Sequence, residues 1–411
     1  MEDMITQRYN EDELMNRDNS VNYTTMTNAN NRFRYHAVER GEYCIIYNFT
    51  IAEDLLSKMA SAHLDYEPIM LAVHSTMNFL EHIVNQANNW DDFVSYALLL
   101  RDGEETALGA AARLWRCYAP VRTKLSLHVV WHRPPLMGTC VAQLPYNVQT
   151  QLNEFGEGSE TNCGNFGIEE ALELVHNRSL YSELPCIMYP INLMRNVARL
   201  GGTATRLQIV ADSENVFSEG FARHMRPLTT RYMRDAGAKT LIAYRRFEIS
   251  KTDLPKNVNE LNELLHHGKA NPFHKRFFSV GHNIPCLTWW LNYSTTHDVE
   301  YIVADELNYT NAHFEPQFIM PTDAPLHYED VPTRYFDHQF LVNELCRAGY
   351  RFRIASHVFN MHAGVKTEFS ITEKLTVSLA RDRKRVILKE FSRYLLEKYG
   401  ANRNHCPQLK E

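Results

Sequence analysis

Short apolar runs and helically spaced apolar positions alternate along the first third of the chain. The apolar runs predict four strands, at 44–47, 69–73, 93–100 and 125–131. Between the later runs, apolar residues recur every three or four positions, at Met77, Leu80, Val84, Leu108, Ala111 and Trp115. Strand, helix, strand, helix, strand is the order of a parallel sheet covered by helices. The pattern therefore predicts an α/β fold with a mostly parallel central sheet.

The two ends of the chain differ in composition from the middle. Residues 1 to 40 are rich in Asn, Asp, Thr and Arg, which is typical of a flexible, disordered stem. Residues 132 to 185 predict a long loop with a helix near 168–175. An apolar stripe over 385–399 predicts a covering helix. We therefore expect a stem over 1–40, one domain over 41–400 and a tail over 401–411.

The charge balance limits the classes of partner. The chain has 43 Lys and Arg residues against 49 Asp and Glu residues, a net charge of −6. A net negative chain argues against a broad nucleic-acid-binding surface. No apolar run approaches the roughly 18 residues of a membrane-spanning helix, and the first ten residues are polar. We expect a globular protein with no nucleic-acid partner.

Eight cysteines are spread along the chain, and no two have the C-x-x-C spacing of a zinc ribbon or a redox motif. An even number at wide spacing fits lumenal disulfides and also fits free buried thiols. Five N-x-S/T sequons begin at Asn22, Asn48, Asn177, Asn292 and Asn308. Roughly four are expected by chance in a chain this rich in Asn, Ser and Thr. The sequons therefore favour a lumenal protein only weakly.

The segment 189–220 carries the most specific chemical pattern. Ile191, Met194 and Ala198 mark one face of a predicted helix. The opposite face is polar and consists of Asn192, Arg195, Asn196 and Arg199. Guanidinium groups favour planar oxyanions such as phosphate, so this face predicts a phosphate-binding surface. A salt-bridged surface is the alternative that the pattern leaves open.

Two carboxylates follow the strand predicted at 207–211. These are Asp212 and Glu214, and α/β sheets bind ligands at the carboxyl ends of their parallel strands. Carboxylates there suit Mg²⁺ or Mn²⁺, which bind oxygen ligands together with substrate phosphates. The same D-x-E spacing also begins at Asp65, Asp102 and Asp298. The position after a strand end is what distinguishes this pair.

Three blocks of the sequence resemble glycosyltransferase family 49. The first contains YPINLMRNVAR, a strand and DSENVFSEG, where the family has YPVNLLRNLAR, a strand and DVDMVPSEG. The block LAVHSTMNFLEHIVNQANNWDDFVSYALLL resembles the family's first strand, helix and second strand. The block NELCRAGYRFRIASHVFNMHAGVK resembles ACELHVAGFDF followed by FLVHKGFK. The resemblance covers roughly residues 65 to 400 and implies one GT-A-type domain, with helices on both faces of the sheet.

The resemblance also implies a metal site. The family's D-x-D motif falls on Asp212 and Glu214, where Glu replaces the second Asp. Its late metal-binding histidine falls on His362. Carboxylates and neutral imidazole suit Mn²⁺, with Mg²⁺ as the alternative. Three residues are expected near the nucleotide of a UDP-sugar: Asn192, Arg195 and Asn196.

A catalytic base is expected as well, because inverting sugar transfer needs a carboxylate that deprotonates the acceptor hydroxyl. The family's F-D-E-R-F segment aligns with residues 327–331, where Tyr328 replaces its Asp. Glu329 keeps the second acidic position, and Asp330 follows it. We predict Glu329 as the base and Asp330 as the second choice. A solvated acidic loop is the alternative.

Two further segments are assigned by position. Residues 314–318, FEPQF, resemble the family's P-E-P-F-Y and are expected to line the acceptor site. His274 and His282 lie in a polar stretch, which predicts surface or acceptor-loop residues.

The resemblance implies a metal-dependent, inverting enzyme that moves a sugar from a UDP-sugar to a glycan hydroxyl on a glycoprotein. UDP-glucuronate is the expected donor, with a β-linked xylose or galactose-type acceptor. One alternative is transfer from UDP-N-acetylglucosamine, and another is a non-catalytic relative that binds UDP or glycan. Family members are type II Golgi proteins, so we expect the Golgi lumen, although no apolar run here has the length of their anchor. The resemblance is also compatible with a homo-oligomer, or with a hetero-oligomer that contains other glycosyltransferases.

Overall fold

The computed structural model describes residues 37–55, 67–101, 104–133, 140, 163, 168–169, 189–202, 205–235, 237–250, 254–402 and 404–410. Most of the predicted stem lies outside these residues, as does most of the loop and helix predicted over 132–185. The sheet begins at Val38, slightly before the predicted start of the domain. Gly41, with a φ of +58°, allows this first strand to turn back onto the second.

Within the described residues, twelve strands form one sheet. Their bounds are Val38–Arg40 (β1), Tyr43–Thr50 (β2), Ile69–Thr76 (β3), Val94–Leu100 (β4), Leu125–His132 (β5), Leu207–Val210 (β6), Val216–Phe217 (β7), Thr240–Ile249 (β8), Ala270–Pro272 (β9), Ala304–Leu307 (β10), Gln317–Pro321 (β11) and Arg351–Ala363 (β12). The order across the sheet is β1-β2-β5-β4-β3-β6-β11-β8-β12-β10, with β7 paired to β12 and β9 to β8.

Six of the central strands share one direction, and β11 among them runs the other way. The strands from β5 through β4 and β3 to β6 are parallel, and so are β8 and β12. Strand β11 lies between β6 and β8 and is antiparallel to both, so β6 and β8 run the same way. The carboxyl ends of these parallel strands therefore meet at one edge of the sheet, and the prediction of a mostly parallel central sheet is confirmed.

Helices cover both faces of the sheet. Their bounds are Glu81–Asn89 (α1), Glu105–Cys117 (α2), Ala119–Lys124 (α3), Ile191–Gly201 (α4), Phe221–Met233 (α5), Val258–His266 (α6), Ser279–His282 (α7), Leu287–Thr296 (α8), Gln339–Arg347 (α9) and Ile371–Tyr399 (α10). Helices α1, α2 and α5 pack on one face, in a buried cluster with Leu71 and Val73 of β3. Helices α4 and α9 pack on the other face, with Ala72.

Burial on both faces explains the continuous apolar runs that predict the strands. All eight residues of β3 and all seven of β4 are buried. Helix α10 starts earlier than the predicted segment 385–399 because a capping box begins it. The Ser370 hydroxyl accepts a hydrogen bond from the Glu373 main-chain N, and the Glu373 carboxylate accepts one from the Ser370 main-chain N.

Three disulfides link the described cysteines: Cys44–Cys140, Cys117–Cys163 and Cys346–Cys406. For these six residues the structure favours disulfides over free thiols, and the last bond attaches the C-terminal tail to α9. Cys286 is an exposed free thiol. None of the helices in the described ranges combines the length and apolar character that crossing a membrane requires.

Removal of the third disulfide is expected to destabilise the fold. The double variant Cys346→Ser, Cys406→Ser should lower the free energy of unfolding by about 2–4 kcal/mol, because the bond restricts the unfolded chain. Urea unfolding under non-reducing conditions measures the change. Cys286→Ser removes a free thiol and serves as the control, with an expected change within about 0.5 kcal/mol. Equal stability of the double variant and the control would contradict the pairing.

Candidate active site

The two acids of the D-x-E motif lie at the carboxyl edge of the sheet. Strand β6 ends at Val210, and Asp212 and Glu214 follow in a turn. The Asn215 main-chain N donates to the Asp212 carbonyl oxygen across 3.1 Å, which closes the turn. Because β8 and β12 run in the same direction as β6, the last residues of those strands reach the same edge.

The Asp212 carboxylate is paired with two guanidinium groups. Arg246 Nη2, on β8, donates to Asp212 Oδ2 across 3.1 Å, and Arg195 Nη2, on α4, lies 3.9 Å from Asp212 Oδ1. Arg246 also stacks over the Phe273 ring, 3.9 Å from its centroid. Burial alone would raise the pKa of the Asp212 carboxyl, but Arg246 and Arg195 hold that pKa below its usual range. Asp212 is therefore ionised at neutral pH.

His362 lies next to Glu214. His362 Nε2 is 3.9 Å from Glu214 Oε1, and both side chains are partly exposed. Adjacent ligands of an octahedral cation are about 3 Å apart when each bond is about 2.1 Å, so the two atoms would have to come about 1 Å closer to share one ion. In the part of the chain that the structure describes, no group of three or more His, Cys, Asp or Glu side chains is arranged to hold a metal. The site fits a cation that takes two protein ligands and completes its coordination with substrate phosphates and water.

Buried polar atoms without partners lie beside this pair. The register of β8 and β12 places Asn360 next to Arg246 and His362 next to Glu248. Both side-chain polar atoms of Asn360 and the Oε2 atom of Glu248 are buried and lack a hydrogen-bond partner among the described residues. Because buried polar atoms in proteins normally have partners, their position supports a polar ligand at this edge.

The polar face of α4 binds the loop that follows β11. Asn192 Nδ2 donates to the Tyr328 carbonyl oxygen across 2.8 Å. Asn196 bonds both main-chain groups of His327, each across 2.8 Å: its Nδ2 donates to the carbonyl oxygen, and its Oδ1 accepts from the N–H. These two amides position the loop, and their role in nucleotide binding stays a prediction.

Arg195 reaches the acidic side of the site. Its Nη1 donates to Asp337 Oδ1 across 2.9 Å and to Asn192 Oδ1 across 3.0 Å. Burial works to lower the pKa of the guanidinium, but Asp337 and Asp212 raise it above its ordinary value. Arg195 therefore brings a permanent positive charge to within 3.9 Å of the Asp212 carboxylate.

The predicted base, Glu329, contacts two donors. Its Oε2 accepts from Arg40 Nε across 3.0 Å, and its Oε1 lies 2.7 Å from Arg40 Nη2. Oε1 also accepts from Asn196 Nδ2 across 2.7 Å. These contacts connect β1 to the loop after β11. The neighbouring Asp330 is exposed, and a catalytic role for either acid stays a prediction.

Two histidines from the polar stretch lie inside the site. The side chains of His274 and His282 are 15% and 8% exposed, so the surface alternative is wrong for both. His274 Nε2 lies 3.9 Å from Glu248 Oε1, and His282 Nε2 lies 3.8 Å from Glu315 Oε2. Burial, and then Arg246, lowers the pKa of His274 to about 3 and the pKa of His282 well below its usual value. Both rings are therefore neutral. The polarity of the sequence alone could not show that the segments with these histidines pack against the edge of the sheet.

Substitution of Asn196 separates a structural role from nucleotide binding. Asn196→Ala should lower the free energy of unfolding by about 2–4 kcal/mol, because it leaves the buried N–H and C=O groups of His327 without partners. Thermal and urea unfolding measure the loss. Asn259→Ala, on the exposed face of α6, is the control. Unchanged stability together with weaker UDP binding would instead support direct contact with the nucleotide.

Comparisons with known proteins identify the family of this chain. The family profile described as "Glycosyl-transferase for dystroglycan" matches residues 68–400. The chain is 23% identical over 410 residues to beta-1,4-glucuronyltransferase 1 of Danio rerio, with 97% of this chain and 91% of the relative covered. It is 23% identical to the Bos taurus protein of that name and 22% identical to the Homo sapiens protein, with 84% of this chain and 79% of each relative covered. The chain therefore belongs to glycosyltransferase family 49 and is a glycosyltransferase.

Proposed function

We propose that this glycosyltransferase is a metal-dependent, inverting enzyme that transfers glucuronate from UDP-glucuronate to a glycan hydroxyl on a glycoprotein. The observation that carries the proposal is the pairing of Glu214 with His362 across 3.9 Å, at the carboxyl edge of the sheet. The names of the relatives support the donor. The mixed carboxylate and imidazole ligands support Mn²⁺, with Mg²⁺ as the alternative.

Five side chains of the site have a part in this proposed chemistry. Glu214 and His362 would hold the cation, with Asp212 beside them. A bound divalent cation neutralises charge on the departing diphosphate. Arg195 and Arg246 orient the Asp212 carboxylate. Their fixed positive charge would stabilise the negative charge that develops on the leaving group. The acceptor hydroxyl attacks the anomeric carbon from the side opposite to UDP, so the configuration at that carbon inverts.

The proposal includes the Golgi lumen as the compartment in which the enzyme acts. Three disulfides join six of the described cysteines. Such bonds form and persist in oxidising compartments and are rare in the cytosol. A glycoprotein acceptor is present in the same compartments.

Metal dependence is tested on the full chain by UDP release. The reaction contains Mn²⁺, p-nitrophenyl β-xyloside or β-galactoside as acceptor, and either UDP-glucuronate or UDP-N-acetylglucosamine as donor. We expect turnover with UDP-glucuronate that EDTA abolishes. Glu214→Gln should lower kcat/KM by at least about 100-fold, because it removes a charged metal ligand. Glu300→Gln changes an exposed D-x-E motif outside the site and should leave turnover unchanged.

Other outcomes point to other functions. Turnover that resists EDTA, or wild-type turnover by Glu214→Gln, would contradict the metal site. A preference for UDP-N-acetylglucosamine would select the alternative donor. Binding of UDP without turnover of either donor would indicate a non-catalytic relative.

A further inference from the structure

Glu315 lies two residues before strand β11, at the same edge of the sheet as the candidate metal ligands. Strand β11 is antiparallel to its neighbours, so its N-terminal end lies at the carboxyl edge of β6 and β8. Gln317 pairs with Tyr244 on β8, and Ile319 pairs with Ile209 on β6. Extension of both registers toward the N-terminus of β11 places Glu315 level with Arg246 on one side. On the other side it lies level with the turn that carries Asp212 and Glu214.

The surrounding contacts fix the orientation of the Glu315 carboxylate. Its Oε1 accepts a hydrogen bond from Gln339 Nε2, at the start of α9. Its main-chain N donates to the Gly281 carbonyl oxygen across 2.7 Å. The second carboxylate oxygen, Oε2, lies 3.8 Å from the neutral His282 ring, and 22% of the side chain is exposed. One oxygen is therefore held in place while the side chain stays accessible to a substrate.

Glu329, the base predicted from the sequence, has different contacts from those of Glu315. Both of its oxygens contact the Arg40 guanidinium, and one also contacts Asn196. Both oxygens of Glu329 therefore already accept hydrogen bonds, and an acceptor hydroxyl would have to use a remaining lone pair. Glu315 has no such ion pair with Lys or Arg among the described residues.

We propose that Glu315 is the general base of the proposed sugar transfer, on which this inference rests. The acceptor hydroxyl oxygen forms the bond to the anomeric carbon while the bond from that carbon to UDP breaks. UDP leaves with the electron pair, and the hydroxyl proton passes to the Glu315 carboxylate. The proton is then released to solvent, so the base is regenerated in each turnover.

The charges around Glu315 suit this role. Burial first, and then the Asp337 and Asp212 carboxylates, raise the pKa of the Glu315 carboxyl to about 8, against the opposing effect of Arg195 and Arg246. The neighbouring His282 ring is neutral and adds no charge. A base works best when its pKa is near the operating pH.

The test compares three variants of the full chain in the glucuronyl transfer assay with Mn²⁺. Glu315→Gln should lower kcat by about 10²–10⁴-fold, because general-base catalysis contributes that much. Its melting temperature and its binding of UDP with Mn²⁺ should match those of the wild type. Glu329→Gln tests the other candidate. Glu306→Gln, on the exposed edge strand β10, is the control with unchanged turnover.

The pH profile gives a second readout that a structural role would not change. The base must be deprotonated to act, so kcat/KM of the wild type should rise with pH until it levels off above about 8. The residual activity of Glu315→Gln should lack this rise. If Glu315→Gln fails to fold, Glu315→Asp carries the test: it should retain part of the activity and the pH-dependent rise.

Two results would overturn the inference in distinguishable ways. Wild-type turnover by Glu315→Gln, with loss in Glu329→Gln, would move the base to Glu329 and leave the proposed function intact. Absence of sugar transfer by the wild type itself would remove the proposed function and the base together.

Discussion

Two guanidinium groups share the Asp212 carboxylate, and this pairing connects three separate elements of the fold. Arg246 comes from β8, Arg195 from α4, and Asp212 from the turn after β6. Removing charges from water costs several kcal/mol per ion, so buried guanidiniums need partners with good geometry. The Phe273 ring under Arg246 and the Asp337 carboxylate beside Arg195 supply further contacts. The turn that holds the candidate metal ligand Glu214 is positioned as a consequence.

The polar face of α4 has a second consequence for the site. Its Asn192 and Asn196 amides hold the loop after β11, and Arg199 donates to the carbonyl oxygens of Ala324 and Pro325 across 2.8 and 2.7 Å. The helical spacing predicts that these residues share one face, and in the structure that face donates hydrogen bonds to oxygen atoms. Four of those oxygens are main-chain carbonyl oxygens of the loop after β11. Spacing shows which residues share a face, but the acceptor that meets the face is determined by tertiary packing.

Dependence on tertiary packing also decides which residues of the site could be predicted from the sequence. The position of Asp212 could be predicted because an apolar run marks a strand and the site lies where parallel strands end. The proximity of His362 followed from the resemblance and not from local pattern. Arg246 escaped prediction because it lies within strand β8, where a charged side chain has no local signal of function. Glu315 could not be placed from its neighbours in sequence, since the direction of β11 depends on pairing with strands more than sixty residues away.

The replacement of the second motif aspartate by Glu214 can be understood from this geometry. Glutamate extends the carboxylate by one methylene, about 1.5 Å, relative to aspartate. The extended carboxylate of Glu214 lies 3.9 Å from His362 Nε2, so the longer side chain points toward β12 and stays beside its histidine partner. Asp212, which keeps the motif's aspartate, is the acid that the guanidiniums hold. The two acids thus have different roles. Asp212, held by the guanidiniums, positions the turn, and the longer, more exposed Glu214 remains available to bind a ligand.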